Sequence, residues 1–334
     1  MHILKNVSTI YNVRRYNTCQ EIKPCYTYFM KLGIKVGPQR QSILDLEQTR
    51  APFAEVWFRV DKKDDYNGIF SYLKQKRIDT GLHFWGLTKN GLLPTLVHDD
   101  PALVRESIDL IRQTIDIAAQ NGFSYVNIHP GFPTRMSVDY ESMAFTPKDT
   151  YIVPLDQSAE QFRACTDKLS AYATDRRVLL TIETTPVRVP AVLQHGNNAS
   201  RQEILDVPEF SLTALPVDTI HFAVANDFGH TAADCISPSA NAVWEYLHKK
   251  TEELAPRTRL LHLGYVVPPY NGTDFHDHLD NPLFETANAV PNKNQMMELL
   301  KLFNHRDNVW ALVEPNGRHP ENYFLAQKLL TSLK

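Results

Sequence analysis

The sequence predicts a single (β/α)8 TIM barrel, and three observations carry that expectation. Eight short β-branched runs alternate with longer helical patterns, most of the runs are apolar on both faces, and several end in a histidine or a carboxylate. Strand–helix alternation implies a parallel sheet, and apolar residues on both faces imply that the sheet is buried. Polar residues at successive strand exits then gather at one end of it, the end where barrels of this kind place their chemistry. A doubly wound open sheet is the alternative, but no GxGxxG follows an early strand.

The strand-like runs, in order, are residues 33–37, 54–60, 80–87, 124–130, 177–184, 219–226, 258–266 and 308–314. Among the helical patterns, 101–120 is the clearest: Leu103, Ile108, Ile111, Ile115 and Ala118/Ala119 recur at helical spacing, and Asn121-Gly122 ends it. Segments 158–174, 240–253 and 321–332 read the same way. Residues 1–30 precede the first strand and read as an N-terminal extension or a cap over the barrel bottom, with the barrel itself spanning 31–334. Three long connections, about 132–157, 186–200 and 267–307, all follow strands and are expected to build a substrate pocket.

The 334-residue length suits one large barrel, and a net charge of −3 differs from the strongly basic balance of a dedicated DNA-binding domain. Cys19, Cys25, Cys165 and Cys235 are scattered without a CxxC pair and read as free thiols. The N-terminus lacks a continuous apolar core of a signal peptide, and no stretch reaches the ~18 apolar residues of a membrane helix. A cytoplasmic protein with no membrane partner is the expectation.

Nine side chains of metal-binding type recur along the chain, most of them ending an apolar run, with Asp274 and His276 in the long segment after the seventh: His83, His129, Glu183, Asp227, His230, His262, Asp274, His276 and Glu314. A carboxylate at the end of a buried strand needs a counter-charge, because an unpaired buried charge is very costly. No lysine or arginine adjoins these positions in the sequence, so a divalent cation is the expected partner. Imidazole and carboxylate ligands suit zinc, with manganese or iron as alternatives, and nine ligands suit two or three ions with a bridging carboxylate. His2, His98, His195, His248, His305 and His319 read as surface or loop residues, and His221 as a structural residue inside a strand.

The motifs GLHFWGL around His83, VNIHPG around His129, IET at Glu183, DFGH from Asp227 to His230, HLGY after His262, DFHDH from Asp274 and VEP at Glu314 resemble, in their order, the xylose-isomerase-like barrel superfamily and its endonuclease IV branch, AP endonuclease family 2. The resemblance covers roughly residues 33–333. It implies a first metal on His83, His129 and Glu183, a second on Glu183, Asp227, His262 and Glu314, and a third on His230, Asp274 and His276. The sugar isomerases and epimerases of the same superfamily keep a smaller set, essentially Glu183, Asp227, His262 and Glu314, around one metal. This sequence departs from the endonuclease pattern at Trp85, where that branch has a tyrosine-containing loop that enters DNA, at Phe275 in place of an arginine, and at Gly264-Tyr265.

Two functions follow from the resemblance. The first is a trinuclear-metal phosphoester hydrolase with Glu183 and Glu314 at the chemistry, acting on DNA or on a smaller phosphoester. The second is a metal-dependent sugar or sugar-phosphate isomerase or epimerase, in which Glu183 and Glu314 accept and donate the migrating proton. Trp85, Tyr265, Tyr270, His278, Arg59, Lys62, Lys63 and Arg318 are candidates for substrate contact, the basic ones for a phosphate. Asp277 and His278 extend the acidic-histidine run, so the ligand register could lie there instead of at Asp274 and His276.

Overall fold

A computed structural model describes residues 30–193, 201–204 and 208–333. The expected N-terminal extension therefore falls outside the described residues apart from Met30, as do Cys19, Cys25, His2 and His195. Eight parallel strands close a barrel: β1 (Lys31–Val36), β2 (Phe53–Arg59), β3 (Asp79–Trp85), β4 (Tyr125–Ile128), β7 (Leu179–Glu183), β10 (Ala223–Asp227), β11 (Thr258–His262) and β12 (Trp310–Leu312), with β12 pairing back onto β1. Two short antiparallel hairpins interrupt the sequence, β5 (Met136–Asp139) with β6 (Ala144–Pro147), and β8 (Pro190–Leu193) with β9 (Arg201–Ile204). The helices are α1 (Arg40–Thr49), α2 (Asn67–Lys76), α3 (Pro101–Asn121), α4 (Leu155–Asp175), α5 (Phe228–Ala233), α6 (Ala240–Leu254), α7 (Lys293–Lys301) and α8 (His319–Thr331). Helix α7 lies inside the connection expected to be loop over 267–307, where Asn292 and Gln295 form a capping box.

Strand alternation divides the barrel into two environments. Ala54, Val56 and Phe58 of β2, Leu82 and Phe84 of β3, Val126 and Ile128 of β4, and Leu180 and Ile182 of β7 pack outward in the large core cluster. The intervening residues point inward. Phe53, Tyr125, Ala225, Leu260 and Leu312 form a separate buried cluster that fills the lower barrel. Gly81 is required there: a Cβ on it would come within 2.1 Å of the Tyr125 ring. Further along the strands, the inward side chains become Lys35, Glu55, His83, Asn127, Glu183, Asp227, His262 and Glu314. The apolar layer thus forms a dry floor on which the polar residues at the carboxyl end of the barrel rest.

Helix α3 shows how the outer layer is fixed. The Asp100 side chain accepts from the amides of Ala102 and Leu103, Pro101 occupies the first turn, and Gly122 at φ 71° ends the helix. His98 just before it is buried, not at the surface as the sequence suggested, because its Nδ1 accepts from the Asp100 amide at 2.9 Å and its ring meets Tyr151. His221 is exposed two residues before β10 instead of lying within a strand. Cys165 and Cys235 are free thiols. Among the described residues, no helix is long and apolar enough to cross a membrane.

Candidate metal centre

All nine sequence-predicted ligands converge at the carboxyl end of the barrel. His83, His129 and Glu183 form one group with ligand atoms close enough for an ion, Glu183, Asp227, His262 and Glu314 a second, and His230, Asp274 and His276 a third. The competing register is set aside by geometry: His278 Nδ1 faces the Asn322 amide and Asp277 accepts from Asn281, so neither belongs to these groups.

Each group is assembled by local sequence. Asp227 ends β10 and caps α5, its carboxylate accepting from the His230 amide at 2.9 Å, which sets the imidazole one turn beyond. The His230 Nδ1 donates to the Thr184 carbonyl at 2.8 Å and the His276 Nδ1 to the Glu314 carbonyl at 3.1 Å. Because a carbonyl only accepts, both rings carry a proton on Nδ1. Their Nε2 atoms therefore turn toward Asp274, at 3.3 Å for His230. His129 follows the same plan, with Nδ1 at 3.3 Å from Glu209 and Nε2 at 3.6 Å from Glu183. Fixing one ring nitrogen by an outer acceptor so that the other faces inward is how proteins orient metal-binding histidines.

Glu183 is the hub. Fully buried, it lies 3.1 Å from His262 Nδ1, 3.3 Å from His230 Nδ1 and 3.4 Å from His83 Nε2, and it accepts from the Asn127 side chain. Burial raises its carboxyl pKa, but His262, His83 and His129 outweigh that and hold it well below the usual carboxylate range. Burial likewise opposes charge on His129, yet Glu183 and Glu209 push the imidazole up to about 9, and Asp274 does the same for His276, also to about 9 against burial. Burial pushes Asp227 up, with His230 and His262 opposing. Without an ion, the carboxylates draw protons onto the imidazoles around them. The buried Nε2 atoms of His83 and His129 have no hydrogen-bond partner, although both face Glu183. Such a set of carboxylates and inward-facing imidazole nitrogens fits divalent cations.

Three functional residues were missed from the sequence. Glu209 is one, and nothing in its loop marks it. Lys35 and Glu55 are the others, and they correct the expectation that no cation adjoins the ligands. They are register partners on β1 and β2, with Lys35 Nζ 2.6 Å from Glu55 Oε1 and 2.6 Å from His83 Nδ1, and in contact with Glu314. Glu55 also accepts from the Tyr125 hydroxyl at 2.7 Å and lies 3.2 Å from His262 Nε2. Each is a charge in the middle of an apolar strand, a signal that becomes readable once the strands are paired.

A cavity of about 620 Å³ opens above these groups. Its floor includes Lys35, His83, His129, His230, Asp274, His276 and Glu314, and its walls carry Trp57, Phe84, Trp85, Phe132 and Phe145. The connections over 132–157 and 186–200 do contribute, through Phe132, Met143, Phe145, Pro186 and Val189. Trp85 lies in the wall as expected, with its ring 5.0 Å from His129 and 6.2 Å from Trp57. His319, read as a surface residue, also lines it.

The other candidate substrate contacts lie elsewhere. Arg59 pairs with Asp61 and stacks on Tyr140, 4.0 Å from the ring centre, while Lys62 and Lys63 are exposed on a 3-10 turn. Arg318 pairs with Asp280. Tyr265 and Tyr270 are buried and donate to the carbonyls of His278 and Asn288, and His278 is held by Asn322. None of these lines the cavity.

Neither a protein-family model nor a curated protein matches the sequence. Solved structures do match the fold. A D-tagatose 3-epimerase-like protein is 12% identical with a TM-score of 0.58, over 91% of this chain and 98% of that one. A D-allulose 3-epimerase from Methylomonas sp., in complex with D-allulose, is 10% identical with a TM-score of 0.57, over 92% and 98%. Endonuclease IV from Thermus thermophilus is 14% identical with a TM-score of 0.50, over 91% and 98%. The likeness is one of fold: the chain has the (β/α)8 barrel that these structures share.

Proposed function

We propose that this protein is a metal-dependent isomerase or epimerase of a sugar or sugar-like carbonyl compound. The observation that carries the proposal is the cavity: polar ligands on its floor, aromatic walls, and no arginine or unpaired lysine among its described lining residues. Its described lining residues include no arginine, and their one lysine, Lys35, is already held by Glu55 and Glu314. A phosphoester would find no arginine and no unpaired lysine among the described lining residues and would depend on bound metal ions alone, whereas aromatic faces suit the C–H surfaces of an uncharged sugar. The similar structures that carry sugar-epimerase names, one of them with D-allulose bound, support this reading.

The residues that would hold the ion are Glu183, Asp227, His262 and Glu314, with His83, His129, His230, Asp274 and His276 available for further ions. A divalent ion bound there would polarise the substrate carbonyl and the adjacent hydroxyl. Glu183 and Glu314 come from β7 and from the end of β12, with His262 of β11 between them, its Nδ1 3.1 Å from the first and 3.5 Å from the second. In this reading a substrate carbon brought between the two carboxylates would give its proton to one and receive a proton from the other; of the two, Glu314 lines the cavity as it stands. Both are held ionised against their burial, Glu183 chiefly by His262 and Glu314 by His262 and Lys35, so either can begin as the base. Trp57 and Trp85 would lie against the sugar and exclude water.

The trinuclear hydrolase is the second reading, favoured by the convergence of all nine ligands into three groups. One experiment separates the two. The metal-loaded protein is incubated with a panel of ketoses and aldoses in D2O and followed by NMR, in parallel with an abasic-site duplex. Deuterium entering beside the carbonyl, reduced at least ~10²-fold in Glu183→Gln and Glu314→Gln, supports the isomerase. Duplex cleavage without exchange replaces it with the hydrolase.

A further inference from the structure

We propose that Lys35 is a built-in cation: its ammonium fills a fourth cation-binding group, formed by Glu55, His83, His262 and Glu314, and keeps a metal ion out of it. The inference goes beyond the isomerase reading and does not depend on which reaction the site performs.

Glu55, His83, His262 and Glu314 bring one ligand atom each into mutual reach, as a bound ion would require. Lys35 Nζ occupies that convergence. It is 2.6 Å from Glu55 Oε1, 2.6 Å from His83 Nδ1 and in contact with Glu314 Oε1. Those atoms also approach one another, His83 Nδ1 lying 3.3 Å from Glu314 Oε1 and 3.5 Å from Glu55 Oε1. An ion and the ammonium cannot share this space.

The ammonium is fixed in place. Lys35 is buried, its neighbour across the strands is Glu55, and Tyr125 and His262 hold Glu55 from its other side. His83 records the consequence. His129, His230 and His276 each face an acceptor with Nδ1, leaving Nε2 for the site. His83 Nδ1 instead faces a donor, so its single lone pair is spent on Lys35. His83 Nδ1 is therefore closed to an ion in this fourth group while Lys35 stays where it is.

The test counts metal and needs no activity. Wild type, Lys35→Met and the double variant Lys35→Met/Glu55→Gln are stripped, reloaded with Zn2+, desalted and analysed by inductively coupled plasma mass spectrometry. The proposal expects one ion more per chain in Lys35→Met than in wild type, and a return to the wild-type count in the double variant. An unchanged count in a folded Lys35→Met overturns it. So does a gain that persists in the double variant, because the extra ion would then sit in the His83, His129 and Glu183 group. Should Lys35→Met not fold even with Zn2+, wild type decides: Lys35 should resist acetic anhydride equally with and without Zn2+, and labelling that rises on loading overturns the proposal. A wild type holding no metal would sink the metal-dependent isomerase while leaving the expected gain in Lys35→Met intact, so the two failures are distinguishable.

Discussion

Asn127 offers a direct test of the centre, because it touches a ligand without being one. It lies on β4, fully buried, between Thr181 and Glu183 of the neighbouring strand. Its amide donates to Glu183, and its Oδ1 accepts from Thr181 Oγ1 at 3.0 Å. Leucine at 127 keeps the volume and removes both bonds. A hydrogen bond to an ionised acceptor contributes about 1.5–3 kcal/mol. The Thr181 bond costs little to lose, since the same hydroxyl already lies 3.5 Å from the Val126 carbonyl. Glu183 then keeps its imidazole neighbours but loses the amide donor on its Oε2. Outer-shell losses of this kind weaken metal binding about 10–100-fold, or about 1.4–2.7 kcal/mol, in line with the bond removed. Competition against a chromophoric chelator measures the effect, with circular dichroism to confirm the fold. A folded Asn127→Leu that binds Zn2+ within about twofold of wild type would refute Glu183 as the hub of the metal centre.

Three further outcomes are expected. After chelator treatment, stability should fall between pH 6.5 and 9: His129 and His276 have folded-state values near 9, above the ordinary 6.5, so their contribution is complete below 6.5 and lost as pH rises through 9. Metal-loaded protein should move the other way over the same range, since ions compete with those protons, and a metal-free melting temperature that is flat or rising there contradicts the charge arrangement. Trp57→Ala removes a cavity wall whose ring meets Tyr140 edge-on at 5.8 Å, so KM for the best sugar should rise about tenfold, the equivalent of about 1.4 kcal/mol, with little change in kcat; steady-state kinetics with the opposite split would remove the wall from the substrate site. Arg59→Ala and Arg318→Ala should leave kcat/KM within about threefold, because each arginine is engaged in an ion pair away from the cavity and such pairs contribute about 0–1 kcal/mol.

What the sequence could reveal follows from how a barrel strand is written. A buried parallel strand is apolar on both faces, so a histidine or carboxylate at its exit stands out, and His83, Glu183, His262 and Glu314 were legible for that reason. Asp227 and His230 were legible because a capping aspartate and an imidazole one turn later have a fixed spacing. Residues whose roles depend on a distant segment were not. Arg59 ends β2, where a phosphate contact is plausible from sequence, but Asp61 and the Tyr140 ring of the β5–β6 region turn it away. His98 is buried by Asp100 and Tyr151, and Glu209 reaches His129 from a loop 80 residues away in the chain.

Lys35 and Glu55 mark the boundary between these cases. In the runs KLGIKV and FAEVWFR each is the one charge inside the run, with Lys31 and Arg59 at the ends, and a charge inside a buried strand is too costly to leave unpaired. The sequence therefore demands a partner for each but does not say which. Strand order supplies it: β1 and β2 are adjacent, and their register sets Lys35 opposite Glu55. The pair adds no net charge, so a count of acidic and basic residues would not reveal it. Its effect lies in position, since the ammonium sits where two carboxylates and an imidazole would otherwise receive an ion. The number of ions this barrel can hold is thus set by a lysine as well as by its ligands, which is why a ligand count from sequence alone gives an upper limit of three and the Lys35→Met variant is expected to exceed the wild type.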